Sequence, residues 1–266
     1  MTTVQKVIKY CAMAFAVFLA VSIIGGILGA FSAISYLGDG RTSTGEMQTY
    51  EVTGDVESLL VEMGGGKLEL RSGEGFSVES DAAGLRVENQ NGVLTVKEER
   101  SGVIAKGVRL ILTVPEGFVF ERADISAGAG ELTADALLTK RLSLELGAGE
   151  ADIGNLTATD SAKIDSGAGE LRVRDGELAN LELNMGVGEA DLTCRLRGDC
   201  ALDYGVGELE LTLAGTQADY RISLDKGVGT ASLDGVKMSG DTVYGGGETN
   251  VSIDGGVGEL RIAFAG

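Results

Sequence analysis

The chain has 266 residues and a net charge of −18, from 40 acidic and 22 basic side chains, with no His and no Trp. That balance excludes nucleic acid as a partner, because its phosphates would be repelled. The missing imidazole removes the commonest general base and every Ser-His or Cys-His nucleophile.

In chain order, Lys6 and Lys9 precede a run without charge from Tyr10 to Leu37. About 20 apolar residues span a bilayer, whereas the apolar stretch of a signal peptide is only about 7 to 15 long, so the run reads as an uncleaved transmembrane α-helix over 10–37. The basic residues on its amino-terminal side predict a cytoplasmic tail over 1–9, with the rest outside a single-pass cell-membrane anchor. All 40 acidic residues lie beyond the run and only Lys6 and Lys9 precede it. The outer part then carries about −20, enough to keep a repetitive β-structure soluble.

Residues 38–50 are rich in Gly, Ser and Thr and read as a linker. Residues 51–127 read as irregular β coils forming an amino-terminal cap. There, Leu59, Val61, Met63 and Gly65 alternate before stepping to Leu68 and Leu70, and Asn91-Gly92 between Leu85, Val87, Leu94 and Val96 signals a hairpin. The only proline, Pro115, closes a strand-like run from Val108 to Val114.

From Gly128 onward a frame of Gly, small residue, Gly and usually Glu returns at Gly147, Gly167, Gly186, Gly205, Gly227, Gly245 and Gly256, with an upstream copy at Gly64. The intervals from Gly128 to Gly245 are 19, 20, 19, 19, 22 and 18 residues, a period that means one unit repeated by stacking. Apolar positions alternate into each frame and then skip, as from Leu142, Leu144, Leu146 and Ala148 to Ala151 and Ile153. Leu181, Leu183, Met185 and Val187 likewise step to Ala190 and Leu192. Alternation is a strand with one buried face, and a break in parity is a bend that glycine permits. Residues 128–266 therefore predict a single-chain parallel β-solenoid (β-helix) of coils about 19 residues long, spaced about 4.8 Å apart. The 64 residues from Gly64 to Gly128 would hold about three coils.

Repeats of this kind could carry three chemistries. Gly64-Gly65-Gly66-Lys67 lacks the spacing and hydroxyl of a phosphate-binding loop, and no copy has the third glycine of a dinucleotide fingerprint. Glu131, Glu150, Glu170, Glu189, Glu208, Glu248 and Glu259 share one place in their coils, with Thr230 substituting once, and predict a stacked carboxylate ladder. Such oxygens suit Ca²⁺, but two residues further on Asp152 and Asp191 alternate with Arg172, Glu210 and Ser232, so the ligand set is not kept. The acids are spread evenly, with no local constellation of the kind that a paired-carboxylate hydrolase needs. Cys11 falls in the proposed span, while Cys194 and Cys200 fall on inward positions, as small hydrophobes or as a disulfide pair.

The run Leu112-Thr113-Val114-Pro115-Glu116-Gly117, then Ile125 to Glu131 and the recurrent Gly-x-Gly-Glu coils, resembles the bacterial putative-adhesin family of Gly-rich β-solenoid proteins over about residues 50–266. The resemblance implies the fold, and a membrane segment ahead of it, but brings no catalytic or binding residue. The expectation is a noncatalytic, membrane-anchored scaffold or adhesin-like module of the cell envelope, with no catalytic, cofactor or metal residues. Its partner would be an envelope protein or a cell-surface polymer. An envelope-stress regulator acting through a partner membrane protein is an alternative. A self-assembling structure is another, joined through solenoid ends such as the terminal strand of Leu260, Ile262 and Phe264.

Overall fold

The computed structural model describes residues 43–98, 107–240 and 242–266. The strands in chain order are β1 (Ser43–Glu51), β2 (Ser58–Gly73), β3 (Ser77–Ala82), β4 (Leu85–Gln90), β5 (Val93–Glu98), β6 (Arg109–Pro115), β7 (Val119–Val173), β8 (Gly176–Ala179), β9 (Leu181–Arg197), β10 (Asp199–Ala214), β11 (Tyr220–Asp225), β12 (Val228–Leu233), β13 (Val236–Lys237), β14 (Thr242–Gly245) and β15 (Thr249–Ala265). A single 3-10 turn, Gln217–Asp219, is the one described helical element.

The expected tail 1–9 and transmembrane helix 10–37 lie outside the described residues. No described helix is long and apolar enough to cross a membrane. Most apolar residues of the described chain alternate with period two and are buried inside coils, so these segments are strands and not helices. The fold class is therefore corrected to all-β over the described residues, and the single-pass membrane localisation finds no spanning helix among them to support it. Most of the expected linker 38–50 is also strand, since β1 begins at Ser43 and pairs antiparallel with β3.

The coils stack in parallel with residue types aligned: Met185 on Tyr204, Val187 on Val206, Gly188 on Gly207, Glu189 on Glu208, Ala190 on Leu209 and Leu192 on Leu211. The parity skip is visible in burial. Leu181, Leu183 and Met185 point in, Val187 is half-buried, and Ala190 and Leu192 point in again. The skip occurs within one continuous strand, so the Gly frame bends the ladder without interrupting it. One apolar column after another fills the interior, from Val61 and Leu70 through Leu144 and Ile164 to Leu211 and Ile253, all 2% exposed or less. The buried Ser80 and Thr139 hydroxyls are satisfied: Ser80 Oγ donates to the Arg109 carbonyl at 2.8 Å, and Thr139 Oγ1 to the Phe120 carbonyl at 3.1 Å.

Stacking order departs from sequence order at both ends. Three coils were expected between the Gly64 and Gly128 copies, yet β2 lies directly on the first coil of β7, with Gly66 beside Gly130. The intervening chain is instead turned outward. β5 and β6 pair with the other edge of β2, and they are covered in turn by β4 and β3 in antiparallel pairing. The expected hairpin at Asn91-Gly92 joins β4 to β5, with φ of 52° and 79° at the two turn residues. The carboxyl-terminal end mirrors this. β15 lies on β10, and β11 and β12 lie outside β15, covered by the antiparallel β14 and β13. Leu260 and Ile262 thus lie on a strand paired at both edges and not at an open end of the stack. The antiparallel cover follows from the problem that an unpaired strand edge poses.

Candidate functional surface

The corner of each coil depends on close approach. At Gly207, with φ of 142°, an added Cβ would lie closer than 3.0 Å to the Gly188 carbonyl oxygen of the coil below, a separation that real Cβ atoms do not reach. The same contact recurs from coil to coil, so the second glycine of the frame is required by stacking as well as by its backbone angle.

That corner fixes where the next side chain points. The ladder of carboxylates forms in the stacking order Glu131, Glu150, Glu170, Glu189, Glu208 and Glu259, with Lys67 opposite Glu131 at one end and Thr230 opposite Glu259 at the other. Glu248 is not a member. Gly245 to Gly247 form the turn from β14 into β15, and the frame aligned with Gly256 and Gly258 is Gly227 and Gly229.

Cations thread the ladder. Lys67 Nζ lies 3.0 Å from Glu131 and 3.6 Å from Glu69. Arg172 bridges Glu170 and Asp191, and Arg174 grips Asp152. Arg261 lies among Glu208, Glu259 and Glu210, at 3.1 Å from Glu259 and 3.5 Å from Glu210. The hydrogen bond to Glu131 raises the Lys67 pKa, and the hydrogen bond from Arg174 holds the Asp152 carboxyl below its ordinary value. These pairs are half-exposed and contribute little to stability; their effect is to neutralise repulsion along the column. Among the described residues, no three Asp, Glu, Cys or His side chains are arranged to hold a metal ion.

A second column went unnoticed in the sequence, although its signal is regular: an acid or amide stands two residues before the first glycine of nearly every frame. Ser126, Glu145, Asp165, Asn184, Asp203, Asp254 and Asp225 run along the other side of the glycine stripe in that stacking order. Its middle is neutralised. Asn184 Nδ2 donates to Asp165 Oδ1 at 2.7 Å, and Lys163 Nζ lies 3.6 Å from Asp165 and 3.1 Å from Glu182. Asp203, Asp254 and Asp225 stand in register on adjacent strands with no ion pair or side-chain hydrogen bond among the described residues. The glycine stripe is thus a shallow acidic face between two carboxylate columns, and Asp203, Asp254 and Asp225 are three successive members of one column without an ion pair.

Cys194 and Cys200 are unpaired thiols, 2% and 3% exposed. Burial pushes the Cys194 thiol up to about 12 and raises Cys200 as well, while the Cys200 thiol donates weakly to the Arg197 carbonyl at 3.5 Å. A thiolate is the reactive form. Neither thiol is therefore expected to react with iodoacetamide at pH 8 in the native protein, and both should react once urea has unfolded it. Rapid native labelling of either would show that the coil opens there.

Aligned Gly corners, inward columns of aliphatic side chains and parallel ladders between coils define a Gly-rich repeat β-solenoid. The Toastrack DUF4097 family model matches residues 76–255, and the chain belongs to that family. This is the relationship to which the Pro115 strand end and the Gly-x-Gly-Glu coils pointed. No curated protein matches the chain. Among solved structures, it is similar to a putative cell adhesion protein from Clostridium sporogenes at 18% identity and a TM-score of 0.40, over 83% of this chain and 99% of that one. A putative adhesin from Bacteroides fragilis shows 13% identity and a TM-score of 0.45, over 82% and 96%. Another from Parabacteroides distasonis shows 14% and 0.33, over 86% and 98%.

Proposed function

We propose that the protein is a noncatalytic, adhesin-like interaction module that meets its partner with the acidic face flanking the glycine stripe. The observation that carries this reading is the row Asp203, Asp254 and Asp225. It is a set of three carboxylates in register on adjacent strands and without ion pairs, whereas Lys and Arg pair with acids elsewhere along both columns. Rigid parallel ladders hold these groups at fixed spacing, so ordering them on binding costs little further entropy. The matching partner is a surface protein or polymer that presents positive charge at a similar repeat, since complementary charge supplies specificity and encounter rate.

The test compares the protein with an Asp203→Asn, Asp225→Asn, Asp254→Asn variant for binding to surface polymers and surface proteins at 0.15 M salt, about the physiological ionic strength. We expect saturable binding by the native protein and at least a tenfold loss in the variant, with unchanged circular dichroism. Equal binding by both would move the contact to another face, and turnover of any bound polymer would refute a noncatalytic role.

A further inference from the structure

Strand β15 is held by both of its edges. On the inner side it pairs with β10 from Asp199–Asn250 to Ala214–Ala265. On the outer side it pairs with β11 from Tyr220–Thr249 to Asp225–Asp254, and with β12 from Val228–Val257 to Leu233–Ile262. Its inward side chains Val251, Ile253, Leu260 and Ile262 are 2% exposed or less. Chain ends are ordinarily the first parts of a domain to open, because they carry few contacts and close no loop. A solenoid stacked in sequence order would share that weakness, since its last coil has one paired edge and can peel away.

We infer that the coil of β11 and β12 is a clamp that locks the carboxyl-terminal strand into the stack, so that opening begins inside the sequence and β15 cannot leave until the clamp has been released. The clamp closes on β15 through several groups. The Tyr220 ring stacks on Phe264 of β15 with centroids 5.7 Å apart, while its hydroxyl reaches past β15 to donate to the Ala214 carbonyl of β10 at 2.7 Å. The Asp234 amide donates to the Ile262 carbonyl at 2.8 Å, and the Phe264 amide to Asp234 Oδ1 at 3.2 Å. Outside the clamp the cover is thin, with Val236 70% and Val243 49% exposed.

The other end is built on the same plan. There β2 lies between β7 and the short strands β5 and β6. In both cases a long continuous strand sits one coil inside, and a coil of two short strands closes over it. Local stability should therefore rise from residue 220 to residue 262, the reverse of fraying.

Hydrogen exchange of the full chain, read residue by residue, tests the clamp. The informative amides are those of β15 that donate to β10 or to the residue just ahead of it rather than to the clamp, the Asn250 amide on the Gly198 carbonyl at 2.9 Å among them. We expect them to exchange at least tenfold more slowly than the amides by which β11 and β12 pair with their outer neighbours. In Leu224→Asp, which places a charge in the clamp's interior, the same β15 amides should lose at least tenfold protection while those of β9 keep theirs. If β15 exchanged as fast as β11 and β12 in the native protein, the inference would be overturned. Full protection of β15 in a variant whose clamp had opened would overturn it equally.

Discussion

Gly207→Ala is expected to destabilise the protein by about 4 kcal/mol or more, in the range reserved for named structural failures. The new Cβ would overlap the Gly188 carbonyl, and the only relief is to separate two coils whose columns are packed on both sides of the corner. Gly235→Ala is the control. Its φ of 75° lies beside the left-handed region that alanine enters at a modest cost, and no atom lies within 4 Å of the added carbon. There the cost should be only the backbone term, about 1–2 kcal/mol. Urea unfolding followed by circular dichroism would separate the two substitutions. Similar losses would mean that the coils separate at little cost and that their close approach does not dictate the glycine.

Leu211→Ala should cost about 3–5 kcal/mol. Leu211 is fully buried, with Leu192 on one side of it and Ile262 on the other, and neither neighbour can move into the void without breaking a ladder. Leu233→Ala, in the clamp coil, should sit near the lower limit of about 2 kcal/mol. That side chain has Ile262 on its inner side and only the exposed hairpin partner Val236 on its outer side, so the site can collapse. The comparison reads stacking directly, because stability in a repeat structure sums the contributions of a coil and its neighbours. Equal losses at both positions would argue that the end coil is as rigid as the centre.

The glycine-flanked acidic face was half legible. The residue after each frame announced the ladder of Glu131, Glu150, Glu170, Glu189, Glu208 and Glu259, because one period carries every copy to the same corner. The column on the other side, ending in Asp203, Asp254 and Asp225, shares that period but varies among Ser, Glu, Asp and Asn, and its variation hid it. Which acids are neutralised was not legible at all. Arg261 reaches Glu208 and Glu210 from 53 and 51 positions away in the chain, because β15 happens to lie against β10.

The sequence by itself determined the coil. Leu, Val, Ile and Ala at alternate positions, with a skip at each Gly frame, require a strand that buries one face and bends, and the period makes the coils stack. The same composition also located both cysteines inside and the strand end at Pro115. Only the tertiary structure decided the order of the coils at the two ends and which glycines belong to the column: Gly227 does, and Gly245 does not. The physical reason is that all coils present nearly the same ladder. An end coil of residues 220–233 pairs with β15 as readily as β10 does, so no local pattern can say which of them lies outside. That choice is made by the hairpins that cover the exposed edges, and they can act only once the stack exists.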